Sequence, residues 1–252
     1  VSATTGENID ELKSMIANVI PKADVYKAIV ADLIKPLDFV VLVVPIDGSA
    51  PKGRLILPQQ QTIRDILETG AVPVVVKDTE LEEMLDKLKV KPSLVITDSQ
   101  VFGKVAKIIP EDIPLTSFSI LMARYKGDLK TVVRGAYALD NLQDGDTVLI
   151  SEGCTHHRQC EDIGSVKLPK WITEHTGKSI RFEFTSGTEF PDDLSKYKMV
   201  IHCGGCMLNE KEMAYRLSTA KGQGIPFCNY GIFIAAVNGI IQRSTKFLPE
   251  YN

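Results

Sequence analysis

The chain has no long apolar run. Its longest, Phe39-Val40-Val41-Leu42-Val43-Val44 and the stretch Ile232 to Ile241 broken by Asn238 and Gly239, fall well short of the ~20 residues a membrane-spanning helix needs. A soluble protein is expected. No basic region followed by an apolar stretch and a small-residue cleavage site opens the sequence, so secretion is not expected and the cytoplasm is. Cationic excess is also missing. Net charge is −3, with Lys and Arg scattered among Asp and Glu, which leaves no footprint for nucleic acid or an acidic membrane as partner. There is no Gly-x-Ser-x-Gly elbow, no evident acid–base pair and no Gly-x-x-x-x-Gly-Lys-Ser/Thr phosphate loop, so this chain is read as a non-enzyme that hydrolyses no nucleotide. Internal repeats and low-complexity tracts are absent as well.

What is present is an alternation of apolar strands with helical patterns. Asp38 to Ile46, Val72 to Val76 and Ser93 to Thr97 read as strands, with helical stretches at about Gln60 to Glu68, Thr79 to Leu88 and Gln100 to Ile109. After a helical region from Thr116 to Leu142, broken at Gly127-Asp128, come strands Thr147 to Ser151, Ser179 to Phe184, Met199 to His202 and Ile225 to Asn229. Helices are expected near Pro169 to Thr176 and Asn209 to Lys221. Strands this continuously apolar, separated by helices, predict parallel sheets covered on their faces. The fold class expected is α/β: two small three-layer domains with mainly parallel sheets, residues 25–114 and 115–252. They follow an amphipathic helix in residues 1–24, which begins after the cap residue Asn8, carries Ile9, Leu12 and Ile16, and reads as the tail of a preceding domain.

Five cysteines are an odd count, and three of them cluster with histidines at short spacing, which suits a metal site in a reducing compartment better than a disulfide framework. Two segments carry the chemistry: Gly153-Cys154-Thr155-His156-His157-Arg158-Gln159-Cys160-Glu161-Asp162 and Ile201-His202-Cys203-Gly204-Gly205-Cys206. Each begins where a predicted parallel strand ends, the edge at which open α/β sheets bind ligands. Cys203 and Cys206 can share one metal centre while Gly204-Gly205 lets the backbone turn tightly, and Cys154 can add a third thiolate from the neighbouring strand. The fourth position is open among His156, Glu161 and His202. His202 ranks behind the other two because adjacent side chains in extended chain point to opposite faces.

Spacing alone leaves rival readings standing. Cys203 and Cys206 could form a thioredoxin-type redox pair at the start of the helix after Asn209, giving a thiol oxidoreductase. Three cysteines and a histidine could also make a structural zinc site in an interaction module. Cys160 and Cys228 read as small apolar fillers, His157 as a neighbour of the site and His175 as a surface residue.

The cluster motif Cys154-x-His156 with His202-Cys203-x-x-Cys206 resembles that of the HydF family, the GTP-binding maturation factors of FeFe-hydrogenase. So do the words Ala50-Pro51-Lys52-Gly53-Arg54-Leu55-Ile56-Leu57-Pro58-Gln59, Cys154-Thr155-His156-His157, Asp162-Ile163-Gly164 and Asn229-Tyr230-Gly231. The resemblance spans nearly the whole chain. It implies the remnant of a GTPase domain, with GTP bound only in the full-length protein, then a dimerisation domain and an iron–sulfur domain. It further implies a 4Fe-4S cluster on Cys154, Cys203 and Cys206, a homodimer, and a scaffold or chaperone role in the cytoplasm. In that role the protein would accept a transient diiron precursor from radical-SAM maturases and deliver it to the FeFe-hydrogenase apoprotein.

Overall fold

The computed structural model describes residues 1–19, 27–46, 53–153 and 162–251. In chain order its elements are α1 (Ile9–Val19), β1 (Phe39–Val43), α2 (Leu57–Glu68), β2 (Val72–Val76), α3 (Leu81–Leu88), β3 (Leu94–Thr97), α4 (Phe102–Ile108), β4 (Leu115–Ser117), α5 (Phe118–Lys126) and α6 (Leu129–Tyr137). There follow β5 (Thr147–Ser151), α7 (Leu168–Thr176), β6 (Arg181–Thr185), β7 (Met199–His202), α8 (Glu210–Gly222), β8 (Phe227–Asn229), α9 (Tyr230–Val237) and α10 (Ile241–Thr245).

The strands form two parallel four-stranded sheets of identical topology, β2-β1-β3-β4 and β6-β5-β7-β8. Both faces of the first sheet are covered along its inner strands β1 and β3, as their sequence demands. Val40, Leu42, Leu94 and Ile96 pack into one apolar cluster with Ile66 and Leu121, while their neighbours Val41, Val43 and Val95 pack into another. That second cluster continues through Val132, Val133, Phe233 and Ile234 to Val148, Leu149 and Val200, so the two α/β units share one core.

Strands β2, β5 and β7 lie where the apolar runs predict them. The start of the helical region expected from Thr116 does not. Leu115–Ser117 form β4, which pairs in register with Val95–Thr97, so the first unit extends beyond the boundary expected at residue 114. The break expected at Gly127-Asp128 separates α5 from α6, the second capped by Asp128, whose side chain accepts from Thr131 N. A buried three-residue edge strand between two helical patterns offers too little periodicity to be read in advance. Helices α9 and α10 were also unanticipated. α9 is apolar on every side because α5, α6 and α4 surround it, which removes the amphipathic signal.

The two units meet along the carboxyl ends of their strands. Ser99, just past β3, donates its hydroxyl to Ser119 Oγ at 3.0 Å, and Asn229 Nδ2 at the end of β8 donates to Ser119 O at 3.3 Å. Gly231 is pressed onto this seam so closely that a Cβ there would lie 2.1 Å from Ser119 Cβ. Arg243 of α10 donates to the carbonyls of Ala106, Ile109 and Pro110 at 2.6, 2.5 and 2.9 Å, satisfying acceptors at the end of α4 that have no partner within the helix.

Candidate metal centre

The order β6-β5-β7-β8 places a topological switch point between β5 and β7, whose connections leave in opposite directions. Ligands bind at such a crevice in open parallel sheets. The two cysteine segments start there, with Ser151 opposite His202 in the register. Cys203 N donates to Ser151 O at 2.8 Å, extending the pairing one residue beyond β7. Gly153 N then donates to Cys203 Sγ at 3.0 Å, and Gly205 N approaches the same sulfur at 3.4 Å.

Two backbone amides are thus directed at one sulfur, an arrangement of the kind that supports a sulfur ligand of a metal centre. Gly205 takes φ +58°, with Met213 Sδ 2.4 Å from where its Cβ would stand, so a side chain at this turn would meet both strain and steric conflict. Cys203 and Cys206 are both partly accessible. This donor set, soft sulfur supported by backbone N–H groups, fits a metal–sulfur centre.

Of the predicted site residues, Cys203 and Cys206 are thus placed on one turn. Cys154, His156 and Glu161, with His157 and Cys160, lie outside the described residues. Among the described residues no group of three or more His, Cys, Asp or Glu side chains is arranged to hold a metal.

His202 points away from the turn into the core. It has no exposed surface, its ring stacks on Phe227 at 5.8 Å, and both nitrogens are engaged. Nδ1 lies 2.7 Å from Cys203 O and Nε2 lies 3.0 Å from Arg216 Nη1. A guanidinium only donates, so Nε2 accepts and Nδ1 carries the proton that goes to Cys203 O. Burial pushes the imidazole down to about 4, in keeping with a neutral ring. His202 here supports the Cys203 carbonyl, and its alternation away from Cys203 is the one the strand geometry predicts.

Arg216 is itself fully buried, donating to Glu212 Oε1 at 2.8 Å and Gly187 O at 2.9 Å and lying over the Phe190 ring at 5.2 Å. Nothing in the periodicity of α8 singled it out.

Two further neighbours escaped the sequence reading. Glu152, directly after β5, is buried and accepts from Tyr230 Oη at 3.2 Å; burial first, then the Glu152 carboxylate and Cys203, push the Tyr230 hydroxyl up. Gly164 closes over this pair, with its Cβ position 2.4 Å from Tyr230 Oη and 2.5 Å from Glu152 Oε1. The words Asp162-Ile163-Gly164 and Asn229-Tyr230-Gly231 therefore pack on one another beside Cys203. Lys126, the last residue of α5, reaches across the seam and donates to Gly205 O at 2.7 Å and Leu208 O at 3.1 Å. Burial pushes its ammonium down, while Cys206, Cys203 and Glu210 act the other way.

Cys228 is wholly buried and its thiol is pushed up by burial, the behaviour of a small core residue. His175 lies at the surface against Asp140, 2.8 Å away.

Family comparison matches residues 29–127 to the hydrogen maturase F dimerization domain and residues 130–247 to the hydrogen maturase F tetramerization domain. The chain belongs to the hydrogen maturase F family. The division between the two matches falls at Gly127-Asp128, where α5 gives way to α6, and not at residue 114. Family membership implies a role in hydrogenase maturation. No curated protein matches the chain significantly.

Among solved structures, a LacI-family transcription regulation repressor from Corynebacterium glutamicum is similar at 11% identity and TM-score 0.28, covering 84% of this chain and 92% of its own. An ABC transporter solute-binding protein from Burkholderia multivorans is similar at 12% identity and TM-score 0.25, covering 76% of each chain. Likenesses this weak say nothing of function. No helix among the described residues is long and apolar enough to cross a membrane.

Proposed function

We propose that this chain is a cytoplasmic scaffold, without bond-making chemistry of its own, that holds a 4Fe-4S cluster on Cys154, Cys203 and Cys206. On this reading it accepts a diiron precursor from radical-SAM maturases and passes it to the FeFe-hydrogenase apoprotein. The observation that carries it is the Cys203-Gly204-Gly205-Cys206 turn at the β5/β7 switch point, with Gly153 N and Gly205 N directed at Cys203 Sγ. A cluster on three thiolates leaves one iron open to an incoming group. The chain's own part is to fix the turn: His202 holds the Cys203 carbonyl from beneath and the strand register brings Gly153 beside it.

The redox-pair reading is less well supported, because Cys206 stands before the cap residue Asn209 with Met207 and Leu208 between them, leaving neither thiol at the amino end of α8. Self-association would use the edge strand β2, along which Val72 and Val75 are exposed.

The test is iron, sulfide and zinc content with a visible spectrum after anaerobic reconstitution, comparing wild type with Cys154→Ala and Cys206→Ala. About four irons and four sulfides per chain, lost in both variants, are expected. Stoichiometric zinc without iron, or a colourless protein that cycles a disulfide, would overturn the reading.

A further inference from the structure

Lys126 ends a helix whose own carbonyls would ordinarily attract a terminal cation. Instead its side chain leaves the dimerization half and enters the turn of the other half. Its Nζ lies 2.7 Å from Gly205 O, 3.1 Å from Leu208 O and 3.5 Å from Cys206 O. An ammonium carries three donors and no acceptor, and here three carbonyls of a single turn converge on it.

Those carbonyls sit where the backbone is least regular. Gly205 is left-handed, Leu208 N returns to Gly205 O at 3.0 Å, and Asn209 then caps α8 through Glu212 N at 2.9 Å. The side chain is half-buried and also lines a cavity of about 30 Å³ with Cys203, Gly204, Met122, Met213 and Phe227. A buried lysine that only filled space would be unfavourable beside an apolar isostere; its three-carbonyl geometry gives the charge a use.

We propose that Lys126 is a positioning residue for the cysteine turn. From the end of α5 it holds the Gly205–Leu208 carbonyls in the conformation that presents the Cys203 and Cys206 thiols, and it places a positive charge beside them. The dimerization half thereby sets the geometry of the cluster half, and the charge favours the more negative state of whatever the thiolates hold. This rests on the cluster reading for the nature of the bound group only.

The experiment compares wild type, Lys126→Met and Lys126→Arg in the full chain. The first readout is hydrogen exchange of the Gly205 and Leu208 amides in metal-free protein. The second is the iron content and midpoint potential after anaerobic reconstitution.

In Lys126→Met, exchange of those two amides is expected to rise at least tenfold while strand amides in β5 and β7 are unchanged, and the midpoint potential is expected to become more negative. Lys126→Arg restores the potential in part, because the charge remains. If Lys126→Met does not fold, Lys126→Gln carries the test, with exchange raised at least threefold and the same loss of potential. Unchanged exchange and unchanged potential in a folded variant would overturn the proposal. A wild type that takes up no iron would instead sink the cluster reading, and the exchange measurement would still decide the role of Lys126.

Discussion

Replacing Arg216 by Met tests whether the buried cation beneath the cysteine turn is structural. Methionine approximates the length and flexibility of the arginine stem and can pack against Phe190. It removes the donors to His202 Nε2, Gly187 O and Glu212 Oε1. Glu212 is 35% exposed and recovers water; His202 Nε2 and Gly187 O do not readily. Each buried acceptor left without a donor costs about 1–3 kcal/mol, and losing one partner of a buried charged network costs up to ~5 kcal/mol.

Relief of the guanidinium's own desolvation offsets part of this, so a net loss of about 2–4 kcal/mol is expected. For a chain of this size that lowers the apparent Tm by roughly 4–16 °C. The assay is thermal and urea unfolding of metal-free protein followed by circular dichroism, for Arg216→Met, His202→Phe and the double variant. Because the two side chains touch, the double variant should fall short of the summed losses by at least ~1 kcal/mol. A change under ~0.5 kcal/mol in Arg216→Met, or strict additivity with His202→Phe, would refute the network.

Asp65 accepts from three consecutive backbone donors, Ile29, Val30 and Ala31 N, at 3.1, 2.7 and 2.9 Å. Asp65→Ala is therefore expected to cost about 2–4 kcal/mol in urea unfolding and to expose residues 27–34 to proteolysis; a silent substitution would count against it. Gly135→Ala would put a Cβ 2.0 Å from Phe227 O, and since the obstacle is backbone, α6 must lift from β8. A loss of more than ~3 kcal/mol is expected by circular dichroism, and a well-folded variant would show the packing is looser than described. Val75→Lys on the edge of the first sheet is expected to leave monomer stability within ~0.5 kcal/mol. It should weaken self-association at least tenfold by sedimentation, whereas unaltered association would move the interface elsewhere.

The strands were legible because the chemistry that makes them is local. Val40 to Val43 and Val148 to Ile150 are apolar and largely β-branched, and a strand with both faces covered needs little else, while Val72 to Val76 carries a similar β-branched run on the partly exposed edge strand β2. The turn at Gly204-Gly205 and the placing of both cysteine segments at strand ends were also visible, since a motif's spacing and its position after a strand are both properties of the chain. The segments Asp162-Ile163-Gly164 and Asn229-Tyr230-Gly231 could be read, but not their packing: Gly164 and Tyr230 are far apart in sequence and meet over Glu152.

What tertiary structure alone decided are the long-range choices. The strand order that makes β5 and β7 neighbours, the assignment of Leu115–Ser117 to the first sheet, and the buried Arg216 beneath His202 all depend on contacts between distant segments. So does the ammonium of Lys126 reaching into the cysteine turn. A lone lysine at a helix end or an arginine on a helix face carries no periodic signal, because its partners are backbone carbonyls or a ring nitrogen that only the folded chain brings within reach. Local sequence determined the elements and the position of the cysteines after their strands; packing across the seam determined how the turn that bears Cys203 and Cys206 is held.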